Sequence, residues 1–454
     1  MIEWFPPLLL ALFFGILAWR RMDWAVALVL FLTPAYQLRF HIGFLPLTYL
    51  EVMLIVLVAV WALLRVLRKD WRTLQWPWKW LTLFFVLAGV VAVVVSPDTR
   101  AALGLWKAYI FEPVLFFYVF VNVLRTPRQW RLALVALGAL VVIVGFGALL
   151  QYAGLVPGVE PYALELPMRA TSVFSFPTAI GKLIGPLVAL FLGLLLVSRH
   201  KSLELRAQSL EPERKTTTLL GVDSRRIFFV GVVAFGLIGL ILSVSRGALV
   251  GIAAAVVFIS FFSSWKKWLW ALCVLGILAV AFVPQLRAEL TSIISGSDVS
   301  TDVHVVMWKG TLRLIADRPI FGAGLAGFPI VYADYKEASH TEFFPSPDHL
   351  LLTLWVEMGL AGLVVFGWIV VRYFVAGFRS LYAIRYTPLA NGKWLMANGE
   401  FRALIAGLLA AMVELIVHGF FDTPYFKNDL AVIFWALVGM VVILNQQILT
   451  RSVR

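Results

Sequence analysis

Apolar runs of roughly 16–23 residues recur along the chain with short polar stretches between them, each long enough to cross ~30 Å of hydrocarbon as a helix. They lie near 4–19, 24–36, 46–64, 80–95, 109–124, 132–153, 179–197, 227–244, 248–262, 268–283, 350–371, 403–420 and 430–449. The second is short and reads as an incomplete crossing, so the pattern predicts 12–13 spans. The first has no basic region ahead of it and no small-residue cleavage site behind it. It therefore reads as a retained span rather than a signal peptide.

One polar stretch breaks the rhythm. Residues 284–349 are too long for a simple turn and are not apolar throughout. A long loop of mixed composition inside an ordered protein usually carries function. Within it Val305, Trp308, Leu312 and Ile315 recur at helical spacing, Thr301 and Asp302 offer caps ahead, and Pro319 ends the pattern. This predicts an amphipathic helix near the membrane surface, with Lys309 and Arg313 four apart on one face. Gly322-Ala-Gly324-Leu-Ala-Gly327 matches a dinucleotide fingerprint, but a helical pattern and a proline precede it where a strand is required. It reads instead as a glycine turn between two loop helices.

Composition agrees with a lipid solvent. Hydrophobic residues make up 61% and charged residues 14% of the chain, with a mean hydropathy of +0.91, well beyond a soluble domain. The single cysteine, Cys273, excludes an intrachain disulfide and a cysteine metal site. The net charge of +13 forms no single nucleic-acid-binding patch. Most basic residues fall in alternate loops, around Arg20–Arg21, Arg65–Lys79, Arg125–Arg131, Arg199–Arg226, Lys266–Lys267, Arg372–Arg402 and Arg451–Arg454. The positive-inside rule assigns those loops and the C-terminus to the cytoplasm, which puts Glu337 and the long loop on the outer face. The resulting expectation is an all-α polytopic transmembrane helical bundle. Residues 1–283 form the first ten helices, 284–349 the extracytoplasmic helical loop and 350–454 the C-terminal helices.

Several charged residues stand at the outer boundary. Arg169 precedes Ser172, Ser175 and Pro177, where a span restarts, and Lys182 lies within that span. Ser245-Arg246-Gly247 interrupts the apolar stretch between two spans. An arginine there either serves a function or snorkels to water. With Lys309 and Arg313 these form a set of outer-face cations suited to the oxygens of a lipid-linked diphosphate. Pro347-Asp348-His349 stands where the long loop re-enters the membrane. Asp348 and His349 are general-base candidates, and a helix cap by Asp348 is the alternative. His304 and His340 are weaker candidates. His418-Gly-Phe-Phe-Asp422 reads first as a polar re-entry turn.

These features resemble the O-antigen ligase family of bacterial membrane glycosyltransferases, which includes O-antigen polymerases and protein O-oligosaccharyltransferases. The resemblance rests on Arg169; Ser245-Arg246-Gly247; Trp308 with Asp317-Arg318-Pro319-Ile-Phe-Gly322-Ala-Gly324-Leu; Glu357-Met-Gly359-Leu-Ala-Gly362-Leu; and His418-Gly-Phe-Phe-Asp422. It implies metal-independent, inverting transfer of a glycan from undecaprenyl diphosphate to a lipid, glycan or protein acceptor at the outer face of the inner membrane, with no cofactor. Arg169 and Arg246 would grip the diphosphate and a histidine would activate the acceptor. Two positions depart from the family pattern. His304 stands where members often have arginine, and Pro347-Asp348-His349 stands where they often read Pro-His-Asn. The alternatives are a polysaccharide polymerase or a non-catalytic transporter of lipid-linked glycans. The lack of an evident repeat, and charges at the boundary rather than the midplane, weigh against a transporter.

Overall fold

The computed structural model describes residues 5–42, 45–165, 168–197, 224–282, 299–337, 344–386 and 398–452. Arg199, Lys201, Arg206, Arg214, Lys215, His340 and Lys393 lie outside the described residues. Among those described, the protein is all-α apart from one antiparallel hairpin, β1 (Arg39–Ile42) and β2 (Leu45–Thr48), with Arg39 opposite Thr48. The helices are α1 (Phe5–Arg20), α2 (Met22–Phe31), α3 (Tyr49–Arg68), α4 (Lys79–Val95), α5 (Thr99–Trp106), α6 (Glu112–Val123), α7 (Pro127–Tyr152), α8 (Thr178–Val197), α9 (Ser224–Leu242), α10 (Arg246–Ser260), α11 (Lys266–Phe282), α12 (Val299–Asp317), α13 (Leu350–Tyr386), α14 (Asn398–His418) and α15 (Asn428–Ser452). Among the described residues, eight helical segments are long and apolar enough to cross a membrane, α5–α6 counting as one, and α1, α2, α4 and α10 are shorter apolar helices. The short second run holds only the 10-residue α2, about 15 Å of helix, before a 3₁₀ turn at Thr33–Gln37.

Local signals explain several boundaries. A capping box of Thr48 and Glu51 starts α3, and Thr126 with Gln129 and Pro127 starts α7. The 109–124 run proves to be the second half of a longer helix. It begins at Thr99 and passes through a π-turn at Lys107–Phe111, where Lys107 Nζ reaches Glu51 at 2.8 Å.

Helix association inside lipid depends on close packing rather than on removing apolar surface from water. At the centre, α8 and α14 meet so closely that a Cβ on Gly193 would collide with the backbone of Gly407. A second nucleus is aromatic: Phe85, Phe117, Phe366, Tyr425, Phe434 and Trp435 interlock α4, α6, α13 and α15. The bundle has two distinct ends, marked by α15. Lys427, just ahead of its first turn, donates to Tyr36 Oη at 3.1 Å, whereas Gln447 near its last turn donates to the Arg125 carbonyl at 2.8 Å.

The expected loop helix is present as α12. It begins at Val299, so Thr301 and Asp302 lie inside it rather than ahead of it. Its buried face is also rotated from the expected stripe. Met307, Thr311, Leu314 and Ile315 are buried, while Leu312 is exposed. The reason is what it packs on: Met307, Leu314 and Ile315 join Phe328, Val331, Tyr332 and Val356 in a small core of their own, so part of the apolar surface meets protein rather than lipid.

Candidate functional site

The large loop is fastened to the bundle by its glycine turn. Gly322 and Gly324 have φ of +66° and +79°. A Cβ on Gly322 would collide with the Val356 carbonyl. The Glu357 carboxylate accepts from the N–H of Ala326 at 2.6 Å and of Phe328 at 3.4 Å. Ala323 N–H donates to the Val356 carbonyl and Leu360 N–H to the Ile320 carbonyl, at 2.7 and 2.9 Å. Gly359 breaks α13 with φ +68° and ψ −178°, a region essentially restricted to glycine. The turn also bonds to the end of α4 through Ser96 Oγ and the Leu325 carbonyl, 2.6 Å. No strand precedes it: α12 ends at Asp317. The nucleotide reading therefore fails on geometry, and the turn links α12 to the single helical turn Phe328–Val331.

This clasp sets the height of Pro347-Asp348-His349. Trp308 Nε1 on α12 donates to the Pro347 carbonyl at 2.9 Å. On the other side, Leu350 N–H donates to the Gly419 carbonyl at 2.6 Å. The His349 ring stands edge-on between Trp308 and Phe420, 5.4 Å from each, and its Nδ1 is buried without a hydrogen-bond partner. Burial holds the His349 imidazole below its ordinary pKa, which keeps it neutral and able to accept a proton near pH 7.

Asp348 does not cap the helix. Its Oδ1 accepts from Ser346 Oγ at 2.9 Å, and its backbone takes a positive φ of 46°. Burial raises its carboxyl above the usual range, and the nearby charge of Asp422 raises it further, against the pull of Lys182. Lys182, one turn into α8, bonds Asp422 at 2.7 Å with both side chains about nine-tenths buried. Burial alone would raise Asp422, but Lys182, His418 and the Thr423 N–H hold it below the usual carboxylate range. Lys427 lies 3.9 Å and Lys182 5.2 Å from the Phe176 ring centre. Burial, and then repulsion from Lys182, push Lys427 down to about 8.

The arginines arrive by a different route. Gln151 clamps the loop after Arg169 by accepting from the N–H of Thr171 and Ser172 at 2.9 and 2.7 Å. Ala170 N–H donates to the Leu242 carbonyl at 2.9 Å, and Arg169 Nε reaches the Ser243 carbonyl at 3.5 Å. The 169 loop thus lies against the turn that starts α10 with exposed Arg246. Next to it, Gly247 packs so tightly on His418 and Phe421 that an added Cβ would stand 2.8 Å from His418 Cδ2. His418 Nδ1 faces Glu414 at 3.3 Å. Ser172, Val244 and Asp348 all carry positive φ. Such backbone is costly for residues with a side chain, at ~1–3 kcal/mol each, and clusters at functional turns.

The structure therefore brings Arg169 to the turn before Arg246, and Asp348 and His349 to the 418–422 turn. It does not bring Lys309 and Arg313 there. They lie about 100° and 140° around α12 from Trp308, both exposed, and Arg313 is engaged by Glu337 at 3.2 Å. His304 lies beside Trp308, with its ring tilted and the centres 5.9 Å apart. Among the described residues no group of three or more His, Cys, Asp and Glu could hold a metal ion. The 418–422 segment, read from sequence as a turn, is where Gly247, His349 and Lys182 meet, against His418 and Phe421, Phe420, and Asp422 respectively. The signal available there was the pairing of His418 with Asp422 in an otherwise apolar stretch.

The model of the family described as O-Antigen ligase matches residues 231–367. This stretch is an O-antigen ligase family segment. The family is one of O-antigen ligase- and polymerase-like membrane glycosyltransferases. No curated protein matches the chain significantly. The matched stretch contains Arg246, the loop helix, Asp348, His349 and both halves of the clasp. Asp317–Leu325 and Glu357–Leu363, both inside the match, hold the loop through the Glu357 carboxylate and a backbone bond from Leu360 to Ile320. Lys182, His418, Asp422 and Arg169 reach the site from outside the match.

Proposed function

We propose that the protein is an O-antigen ligase-like glycosyltransferase that takes a glycan from a polyprenyl diphosphate, of the undecaprenyl kind, and passes it to a hydroxyl on a lipid, glycan or protein acceptor. The observation that carries this reading is the 418–422 turn. One side packs on Gly247, beside Arg246, and the other on His349. A group suited to phosphate and a group suited to a proton are thereby held around one turn.

In this reading the acceptor oxygen attacks the anomeric carbon. Its proton passes to neutral His349 as the carbon–oxygen bond to the diphosphate breaks and the electron pair leaves on the phosphate oxygen. Arg169 and Arg246 meet the charge that accumulates on the leaving group, where fixed donors contribute most. Asp348, facing the Lys182–Asp422 pair, sets the field around the imidazole. The surroundings are a bacterial cytoplasmic membrane, with the clasped loop and the site extracytoplasmic and the C-terminus cytoplasmic.

Arg246→Lys tests the assignment. Lysine keeps the charge but loses the two-pronged contact. A charged hydrogen bond is worth about 1.5–3 kcal/mol, so a ten- to hundred-fold loss of transfer rate in reconstituted membranes is expected. Wild-type rates for both Arg246→Lys and Arg246→Ala would reduce Arg246 to an interfacial anchor.

A further inference from the structure

The end of the bundle remote from this site holds a cavity of about 260 Å³, many times the ~10–15 Å³ that admits one water. It opens between the end of α1, the end of α3 and the α6–α7 turn. Arg20, Arg21, Arg65 and Arg68 line it, with Asp23 the single carboxylate among the lining residues. Arg21 is paired with Asp23 at 3.1 Å, and Arg65 with Asp70. Among the described residues Arg20 and Arg68 have no ion-pair partner, so their charges remain uncompensated at the rim. Two donors in the wall are also unsatisfied. Trp61 Nε1 and Arg65 Nε are buried with no hydrogen-bond partner, although Trp61 is only 9% exposed and buried N–H groups are rarely left unpaired.

Position decides the kind of anion. Arg125, which donates to Asn122 Oδ1 at 2.8 Å, accepts from Gln447 through its carbonyl. Asn122 lines the cavity, which places the cavity at the far end of α15 from Lys427 and Asp422. Trp19, itself in the lining, continues along one face of α1 into Ile16 and Leu12, and all three are exposed. Spaced by three and four residues, they carry the cavity on as apolar surface along α1, as an acyl chain requires. A basic pocket at a helix end, with an interfacial tryptophan and a lipid-facing flank, is the arrangement that holds a phosphate headgroup.

We propose that this cavity is a binding site for the headgroup of an anionic phospholipid in the leaflet opposite the transfer site. The phosphate would lie between Arg20 and Arg68 and accept from Trp61 Nε1 and Arg65 Nε. Its acyl chains would run along the face of α1 that carries Leu12, Ile16 and Trp19. The site would tie the end of α1 to the end of α3, and it contributes nothing to the transfer chemistry.

Native mass spectrometry of the purified full chain tests this with dioleoylphosphatidylglycerol, dioleoylphosphatidylcholine and inorganic phosphate as probes. The glycerol lipid is expected to be retained in preference to the choline lipid, and millimolar phosphate is expected not to displace it. An arginine near an anionic surface is worth roughly fivefold in affinity. Arg20→Gln/Arg68→Gln should therefore weaken phosphatidylglycerol binding roughly thirty-fold. Should that double variant not fold, Trp61→Phe, which removes only the indole N–H, is expected to weaken it by threefold or more. Equal retention of the two lipids, displacement by phosphate, or unchanged affinity in whichever variant folds would each overturn the proposal.

Discussion

Replacing Lys182 with methionine removes the cation facing Asp422 while keeping the length of the side chain. At 2.7 Å the gross attraction is about 6 kcal/mol at an effective dielectric of ~20, much of it offset by the cost of taking both charges out of water. What the variant feels is the carboxylate left behind. An uncompensated buried charge costs about 3–5 kcal/mol. Asp422→Asn strands Lys182 instead, with partial relief from the Phe176 ring 5.2 Å away, so a cost of about 2–4 kcal/mol is expected. The double variant buries neither charge and should lie within about 2 kcal/mol of wild type, which leaves a coupling of roughly 3 kcal/mol or more. Denaturant-induced unfolding of the four purified proteins in one detergent measures the cycle. Single variants within about 0.5 kcal/mol of wild type, or strictly additive effects, would refute the idea that this buried pair anchors the site.

The acid limb of the pH–rate profile should report His349. Its burial-lowered pKa means the neutral base persists below pH 6.5, so kcat/KM should fall only at more acidic pH, and a limb at or above 6.5 would exclude this imidazole. Stability follows the same sign: the unfolded chain takes up the proton near pH 6.5 and the folded protein only lower, so this contribution is lost as pH falls through that window. The clasp is tested by Gly359→Ala, whose Cβ must enter a glycine-only backbone region against the Ile320 carbonyl. A loss of at least about 1–3 kcal/mol in unfolding free energy is expected, and unchanged stability would remove the clasp as a structural device.

Much of the architecture was legible because lipid imposes one rule everywhere: backbone groups must be satisfied within helices. The run at 179–197 anticipated α8 to within one residue for that reason. The misses share another cause. Hydrophobic periodicity is blind to which neighbour a face meets, so the α12 stripe was drawn toward Leu312 when the loop's own core sits under Met307, Thr311 and Leu314. The hairpin Arg39–Thr48 and the π-turn at Lys107 have no strong period and were not read. Among the candidate site residues, Arg169, Arg246 and Asp348 were legible as charges stranded at a boundary, and His349 as the imidazole beside one of them. Lys309 and Arg313 looked equivalent in sequence, yet the rotation of α12 turns them away. The Lys182–Asp422 pair joins residues 240 positions apart, and no local pattern reports such a contact. Asp348 was read as a base candidate, with a cap of α13 as the alternative. Its left-handed backbone and Ser346 bond direct it elsewhere.

The most direct measurement of the central claim is transfer by reconstituted protein from a radiolabelled polyprenyl-diphosphate glycan, comparing wild type, His349→Ala and Asp348→Asn. The expected result is release of polyprenyl diphosphate coupled to glycan on the acceptor in wild type. His349→Ala should bind the donor with wild-type affinity but turn over at least a hundred-fold more slowly, while Asp348→Asn keeps most of the rate with a shifted pH profile. Full turnover in His349→Ala, or loss confined to Asp348→Asn, would contradict the assignment of the base, and an absence of transfer in wild type under conditions where the donor is bound would contradict the function itself.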